Sequence, residues 1–366
     1  MNQIVSVQVL RALAALTVAF GHAQHDAKVQ ALKLGAGFER VHLLPWGAGV
    51  DLFFVISGFI MVHASERLFG RADAPARFLA RRLARIVPLY WLFTALYLLV
   101  LVRAHMAEGR SLPDLADVAA SFAFWPTDAF GDGVPRPVYT LGWTLNYEMF
   151  FYALFALFVG LPRGRAVACV AAALGGLVVL GAALPLEAAA PFFWTRPIVL
   201  EFALGMGLAL LHRRGILLPL AVRLALLTAG TALLVLDPMA SGAQAMDWIT
   251  PNDLLRVLGW GVPAAAIMAA CVLAPRGRPS AIGRVGSALG DASYALYLVH
   301  PFAILGLRRA WLAAGLHESL GLWPMVAVSL LLSCAAALVV HRLVERPLTH
   351  LVQGRIAGRS PAAAPV

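Results

Sequence analysis

Apolar stretches of about 20 residues recur from one end of this 366-residue chain to the other, and that feature settles most of what it can fold into. Hydrocarbon offers the backbone no hydrogen-bond partner, so each stretch must satisfy its own amides as helix. A membrane β-barrel would need alternating segments of about ten residues, and these runs do not alternate. Composition agrees: 61% of residues are hydrophobic and only 13% charged, against about 25% charged in a soluble domain. A soluble globular enzyme, a disordered chain and a disulfide scaffold are thereby excluded. The expected fold is an all-α, polytopic membrane helix bundle of about ten transmembrane helices. They lie near 5–24, 49–66, 87–104, 139–160, 166–184, 192–211, 216–236, 254–274, 286–306 and 322–341, set by the rise of a helix across a slab of about 30 Å.

The formal charge of +10 does not point to nucleic acid, because the basic residues sit in short loops between apolar runs. With the N-terminus inside, 17 of the 29 Lys and Arg residues fall in inner loops and 10 in outer loops. Both termini are therefore expected to be cytoplasmic, in a bacterial inner membrane. Arg308 and Arg309 run against that bias and make the ninth span the least secure. The N-terminal stretch lacks an early Lys or Arg and is interrupted by Arg11, so it reads as a retained span rather than a cleaved signal. Cys169, Cys271 and Cys334 lie singly in apolar runs, without the CxxC spacing of a zinc or redox pair. Residues 1–352 form one membrane domain, and the Ala/Pro/Arg-rich 353–366 are expected to be a disordered cytoplasmic tail.

Chemistry should appear as polar groups inside spans, where they are costly. Arg11 and His22 lie 11 residues apart, about three turns, hence on one face of the first span and roughly 16 Å apart along its axis. A snorkelling arginine and an interfacial histidine would explain each alone; together they suggest a site running through the membrane. Asp51 enters from the second span at a depth similar to His22. It reads equally as an orienter of that histidine or as a helix N-terminal acid. Ser57 and Gly58 offer a small surface for close helix packing. Arg77, Arg81, Arg82 and Arg85 recur at helical spacing, either as a topology anchor or as a site for phosphates. Glu148 sits mid-span beside Asn146 and Tyr147. Glu201 is a second intramembrane acid, paired with Arg196 or with a residue elsewhere. His300 precedes Pro301, where a kink is expected. His22, His25 and Asp26 lack a further ligand for a metal, so no metal is expected.

In their order along the chain, these motifs resemble the acyltransferase 3 family of integral-membrane acyltransferases. The segments that carry the likeness are Arg-x10-His from Arg11 to His22, GVDLFFVISGF, RRLARIVPLYW, WTLNYEMFFY, SYALYLVHP and the closing LVERPL. The wording WTLNYEMFF is most similar to the exopolysaccharide and O-antigen acetyltransferase branch. The resemblance implies acetyl-CoA as acyl donor and a carbohydrate hydroxyl as acceptor. It also implies Arg11 and His22 as an essential pair, Arg82 and Arg85 as an RxxR donor motif, and Glu148 as a buried acid.

The expected function is thus transfer of an acetyl group to an exported polysaccharide or its lipid-linked precursor. The donor phosphates would rest on Arg82 and Arg85, with Arg81 and Arg11 nearby. His22 would act as general base, with Asp51 its orienter. Glu148 would hold a partner or relay a proton, and Asn146, Tyr147, His300 and Glu201 would support substrate or structure. Acetyl-CoA, the glycan acceptor and membrane lipids are the expected partners. A transporter or flippase of lipid-linked saccharides is the rival reading. It would share the spans and buried charges but would not require the arginine–histidine geometry.

Overall fold

The structure, a computed structural model, describes residues 4–237, 254–275 and 280–357. Within them all regular structure is helix, joined by loops, with no strand. The helices are α1 (Val5–Leu34), α2 (Ala48–Ala64), α3 (Ala74–Glu108), α4 (Leu115–Phe122), α5 (Trp143–Phe158), α6 (Arg163–Ala183), α7 (Ala189–Trp194), α8 (Leu200–Arg213) and α9 (Leu220–Leu236). Then α10 (Leu254–Arg256) runs through a π-helical turn (Val257–Gly261) into α11 (Val262–Val272). They are followed by α12 (Ala281–Asp291), α13 (Ser293–Ala313), α14 (Leu316–Ser319), α15 (Trp323–Val340) and, after a second π turn (His341–Glu345), α16 (Arg346–Ala357).

Each of the ten expected spans falls on helix, but their lengths differ from the expectation. The single helices Val5–Leu34, Ala74–Glu108, Arg163–Ala183, Leu254–Val272 and Trp323–Arg355 are long and apolar enough to cross a membrane. This is an integral membrane protein. Helices α2, α5, α8 and α9 have 17, 16, 14 and 17 residues, short of the roughly 20 needed to span alone. Three ends move outward. Helix α1 continues ten residues past the expected limit to a left-handed glycine, Gly35. The arginine-rich 77–85 lies in the first half of the 35-residue α3, continuous with the expected third span. Residues 353–357 of the expected tail belong to α16. The remaining tail, with Arg359, lies outside the described residues, as do Arg276 and Arg278.

The expected ninth span is two helices. Residues 283–291 and α13 meet at a bend of 73° at Ala292. Helix α13 continues through Pro301 without a break in its helical assignment. Proline leaves the carbonyl four residues back, on Tyr297, without its helical donor. The His300 ring on the same turn reaches the Leu296 carbonyl through Nδ1 at 3.0 Å.

Helix α1 is the post around which α2, α12, α13 and α15 pack. Its Ala15, Ala19, Ala23, Ala27 and Ala31 recur every four residues and are each at most 1% exposed. Small side chains at this period let neighbouring backbones approach closely, which drives helix association in lipid. Helices α2 and α8 touch backbone to backbone: a Cβ on Gly58 would enter the Phe202 carbonyl, and one on Gly205 the Val55 carbonyl. Neither carbonyl can turn aside as a flexible side chain would. Gly58→Leu should therefore lower stability by about 3 kcal/mol or more, the upper end of overpacking costs. A lower midpoint of thermal unfolding in detergent, with reduced yield, checks it.

Candidate active site

Arg11 and His22 of α1 mark two openings at opposite ends of the bundle. At the Arg11 end a vestibule of about 560 Å³ is lined by Arg11, Arg81, Arg82, Arg85, His63 and Gln353, among others. Arg11, Arg81, Arg82 and Arg85, the four arginines expected around the donor phosphates, meet here. Arg11 is buried and holds Gln8 Oε1 at 3.3 Å, while Arg81 is exposed at the rim. Arg77 lies outside the vestibule lining and pairs with Asp73 at 2.8 Å.

A narrower cavity of about 90 Å³ leads inward and shares Arg11, Arg82 and Arg85 with the vestibule. Its walls carry Glu148, Tyr152, Ser57, Thr144, Tyr294 and Tyr297. Glu148 accepts from the Tyr152 hydroxyl and, at 3.2 Å, from Ser57 Oγ. It therefore belongs to the arginine-lined cavity, where it opposes the charges of Arg11 and Arg82. Deeper in, Thr144 Oγ1 donates to Tyr297 Oη at 2.9 Å, and Tyr297 donates to the Leu141 carbonyl at 3.0 Å. These bonds fix the end of α5 against α13.

Beyond Tyr297 lies a histidine pair. The Tyr297 and His300 rings are 6.2 Å apart, and the His300 and His22 rings 5.0 Å. His300 Nε2 is 3.1 Å from His22 Nδ1. His22 Nδ1 also reaches the Val18 carbonyl at 3.1 Å, and His300 Nδ1 the Leu296 carbonyl at 3.0 Å. Carbonyl oxygens only accept, so each Nδ1 carries hydrogen in the neutral pair. The Nδ1–H of His22 is shared between Val18 O and the lone pair of His300 Nε2. The second nitrogen of His22, Nε2, then carries the lone pair, the form a general base requires.

His22 also lines the opposite opening, a vestibule of about 650 Å³ that includes His25, Asp26, Tyr97, Arg103, Arg110, Arg308 and Arg309. The histidine pair thus stands between the arginine-lined cavity on one side and a second vestibule on the other.

Asp51 does not orient His22. Both its oxygens accept from Arg256, at 3.0 and 2.9 Å, and the ion pair is fully enclosed. A bidentate guanidinium satisfies a buried carboxylate better than one imidazole N–H, and His300 occupies the place expected of Asp51. Glu201 is buried beside the same pair, in the space left by Gly261. Its expected partner Arg196 instead donates to the Phe192 and Gly181 carbonyls and covers the Phe192 ring. Asn146 and Tyr147 are buried on a face of α5 away from the cavity lining, with Tyr147 stacked on Phe193 at 3.9 Å.

Sequence reasoning passed over Arg256, Thr144, Tyr152, Tyr294 and Tyr297. A signal existed for two of them: Tyr294, Tyr297 and His300 follow one another at helical spacing of three, so they lie along neighbouring turns. Among the described residues no group of three His, Cys, Asp or Glu is placed to hold a metal.

The family model for the Acyltransferase domain matches residues 4–342. The exopolysaccharide production protein ExoZ of Rhizobium meliloti (strain 1021) is 35% identical over 322 residues, covering 87% of this chain and 96% of that protein. BcsY of Komagataeibacter xylinus is 33% identical over 132 residues, 32% of each chain. Protein 2 in the picA locus of Rhizobium radiobacter is 48% identical over 48 residues, 13% of this chain and 25% of that one. No solved structure matches.

Proposed function

Because the chain belongs to the acyltransferase 3 family and is a membrane-bound acyltransferase, we propose that it moves an acetyl group from acetyl-CoA to a hydroxyl of an exported polysaccharide or its lipid-linked precursor. The observation that carries this reading is the position of the His22–His300 pair between two openings, one lined by arginines and one facing the other end of the bundle. Acetyl-CoA enters at the Arg11 end, which the excess of Lys and Arg assigns to the cytoplasm of a bacterial inner membrane. Both termini lie on that side. The guanidinium groups of Arg81, Arg82 and Arg85 hold its phosphates, bidentate where geometry allows. Glu148 keeps Arg11 and Arg82 facing the cavity. The thioester end passes Tyr297 toward the histidines.

The acceptor hydroxyl arrives from the second vestibule. His22 Nε2 removes its proton while the oxygen attacks the thioester carbonyl; the C–S bond breaks, and the thiolate of CoA takes up a proton as it leaves. His300 is a positioning residue that fixes the tautomer of His22, the role carboxylates play in hydrolytic triads.

Mass spectrometry of surface glycans from cells with and without the gene tests the whole reading. Loss of acetyl from the glycan supports it; unchanged acylation with stalled polymer export would mean saccharide transport instead. The donor site has its own test. Replacing Arg82 and Arg85 with glutamine should weaken acetyl-CoA binding by one to two orders of magnitude per residue. Charge-assisted contacts contribute about 1.5–3 kcal/mol each, at about 1.4 kcal/mol per factor of ten. Titration of the purified protein with acetyl-CoA measures this, and wild-type affinity would reduce the motif to a topology anchor.

A further inference from the structure

Arginines are disfavoured on the outer side of a bacterial membrane protein, yet four of them gather around the vestibule that opens onto His22. Arg103 comes from the last turns of α3 and Arg110 from the loop just after it, Arg308 and Arg309 from the end of α13. The vestibule lining holds two acids, and each is already engaged. Asp26 accepts from Arg308 at 2.5 Å, and Glu108 from Arg110 at 2.7 Å. Arg103 and Arg309 are exposed, and among the described residues no carboxylate lies within ion-pair distance of either. The opening therefore carries two more cations than anions. Low-dielectric walls around such an opening concentrate its field and draw in anions. The excess has a defined reach: Arg308 follows His300 by eight residues on one helix, about 12 Å along the axis.

We propose that this vestibule binds its acceptor through a negative group, a sugar carboxylate or a carrier phosphate, read by Arg103 and Arg309. The acceptor is then an acidic or diphosphate-linked saccharide rather than a neutral glycan. Its charge is held about two helical turns outward of the reacting hydroxyl, which fixes the hydroxyl relative to His22. The inference rests on the reading of His22 as the transfer centre, but the charge excess can be tested without it.

The test uses the full chain in phosphatidylcholine nanodiscs, so that no anionic lipid competes. Two anionic probes are each titrated beside a neutral twin: tetragalacturonate against maltotetraose, and farnesyl diphosphate against farnesol. At least one anionic probe should bind tenfold or more tightly than its twin, and weaken as salt rises. Arg103→Gln with Arg309→Gln should erase that difference, and the Arg103→Lys, Arg309→Lys pair should keep most of it. Preference for tetragalacturonate assigns the charge to the sugar; preference for farnesyl diphosphate assigns it to the carrier. The proposal is overturned if neither anionic probe outcompetes its twin, or if the glutamine pair binds like wild type. In cells the glutamine pair should cut glycan acetylation about tenfold, with acetyl-CoA binding as the folding control. Should deletion of the gene leave glycan acetylation intact, the acyl-transfer reading fails on its own, while the probe titrations still decide the anion site.

Discussion

Replacing His22 with alanine should abolish acetylation of the glycan while leaving protein level and acetyl-CoA binding nearly unchanged. Imidazole is the side chain whose ordinary titration range suits removal of a hydroxyl proton near neutral pH. Loss of a general base alone costs about 10²–10⁴ in rate, and His22 is the titratable group shared by the histidine pair and the second vestibule. Two companion variants separate chemistry from packing. His25 lies one turn farther along α1 and lines the same vestibule, but no bond joins it to His300. His25→Ala should cost much less. His300→Ala removes the lone pair that holds the Nδ1–H of His22, so both tautomers of His22 become accessible and activity should fall partway. Acetylated product and acetyl-CoA affinity, measured side by side for the three variants, give the order. Equal, mild losses for His22 and His25 would return His22 to an interfacial role and leave the transfer centre elsewhere.

The sequence made α1 legible because its signal is local. Arg11 and His22 sit on one helix, and 3.6 residues per turn places them on one face before any tertiary contact is known. The same holds for Arg81, Arg82 and Arg85, which follow one another at helical spacing on α3. What failed were statements about pairs on different helices. Asp51 and His22 have similar expected depths, yet depth does not specify azimuth, and the α2 face carrying Asp51 turns toward Arg256. Arg256 itself looked like an ordinary loop arginine at the end of a span. Its burial follows from the π turn at Val257–Gly261 and the glycine at 261, which together bring Glu201 and Asp51 around it. Nor does hydropathy alone distinguish a straight span from α12 and α13, since the 73° bend leaves the apolar count unchanged. The lone pair on His22 Nε2 depends on a contact 278 residues away in sequence, which no local pattern encodes.

The cluster that misled the sequence reading should prove the most sensitive structural point in the protein. Arg256 is 4% exposed, holds Asp51 in two hydrogen bonds and lies against the rings of Trp260 and Trp143 at 4.8 and 6.0 Å. Asp51 and Glu201 are fully buried beside it. Removing one partner of a buried ion pair leaves the other charge in a medium that cannot solvate it, at a cost of about 3–5 kcal/mol. Arg256→Met preserves much of the volume and the apolar contact with the tryptophans but takes away the cation. It should unfold at clearly lower temperature in detergent and accumulate poorly in membranes. Adding Asp51→Asn to that variant removes the stranded charge and should restore most of the loss, because a neutral polar group needs only hydrogen bonds rather than a counter-ion. Glu201→Gln alone should be mild by comparison, since it leaves the Arg256–Asp51 pair whole. The decisive comparison is unfolding midpoint against glycan acetylation across the three variants. If acetylation tracks the amount of folded protein, the cluster is scaffolding that fixes α2, α8 and α11 around the cavity. If Arg256→Met folds and melts like wild type yet transfers no acetyl group, Asp51 returns to the chemistry and the scaffold reading falls.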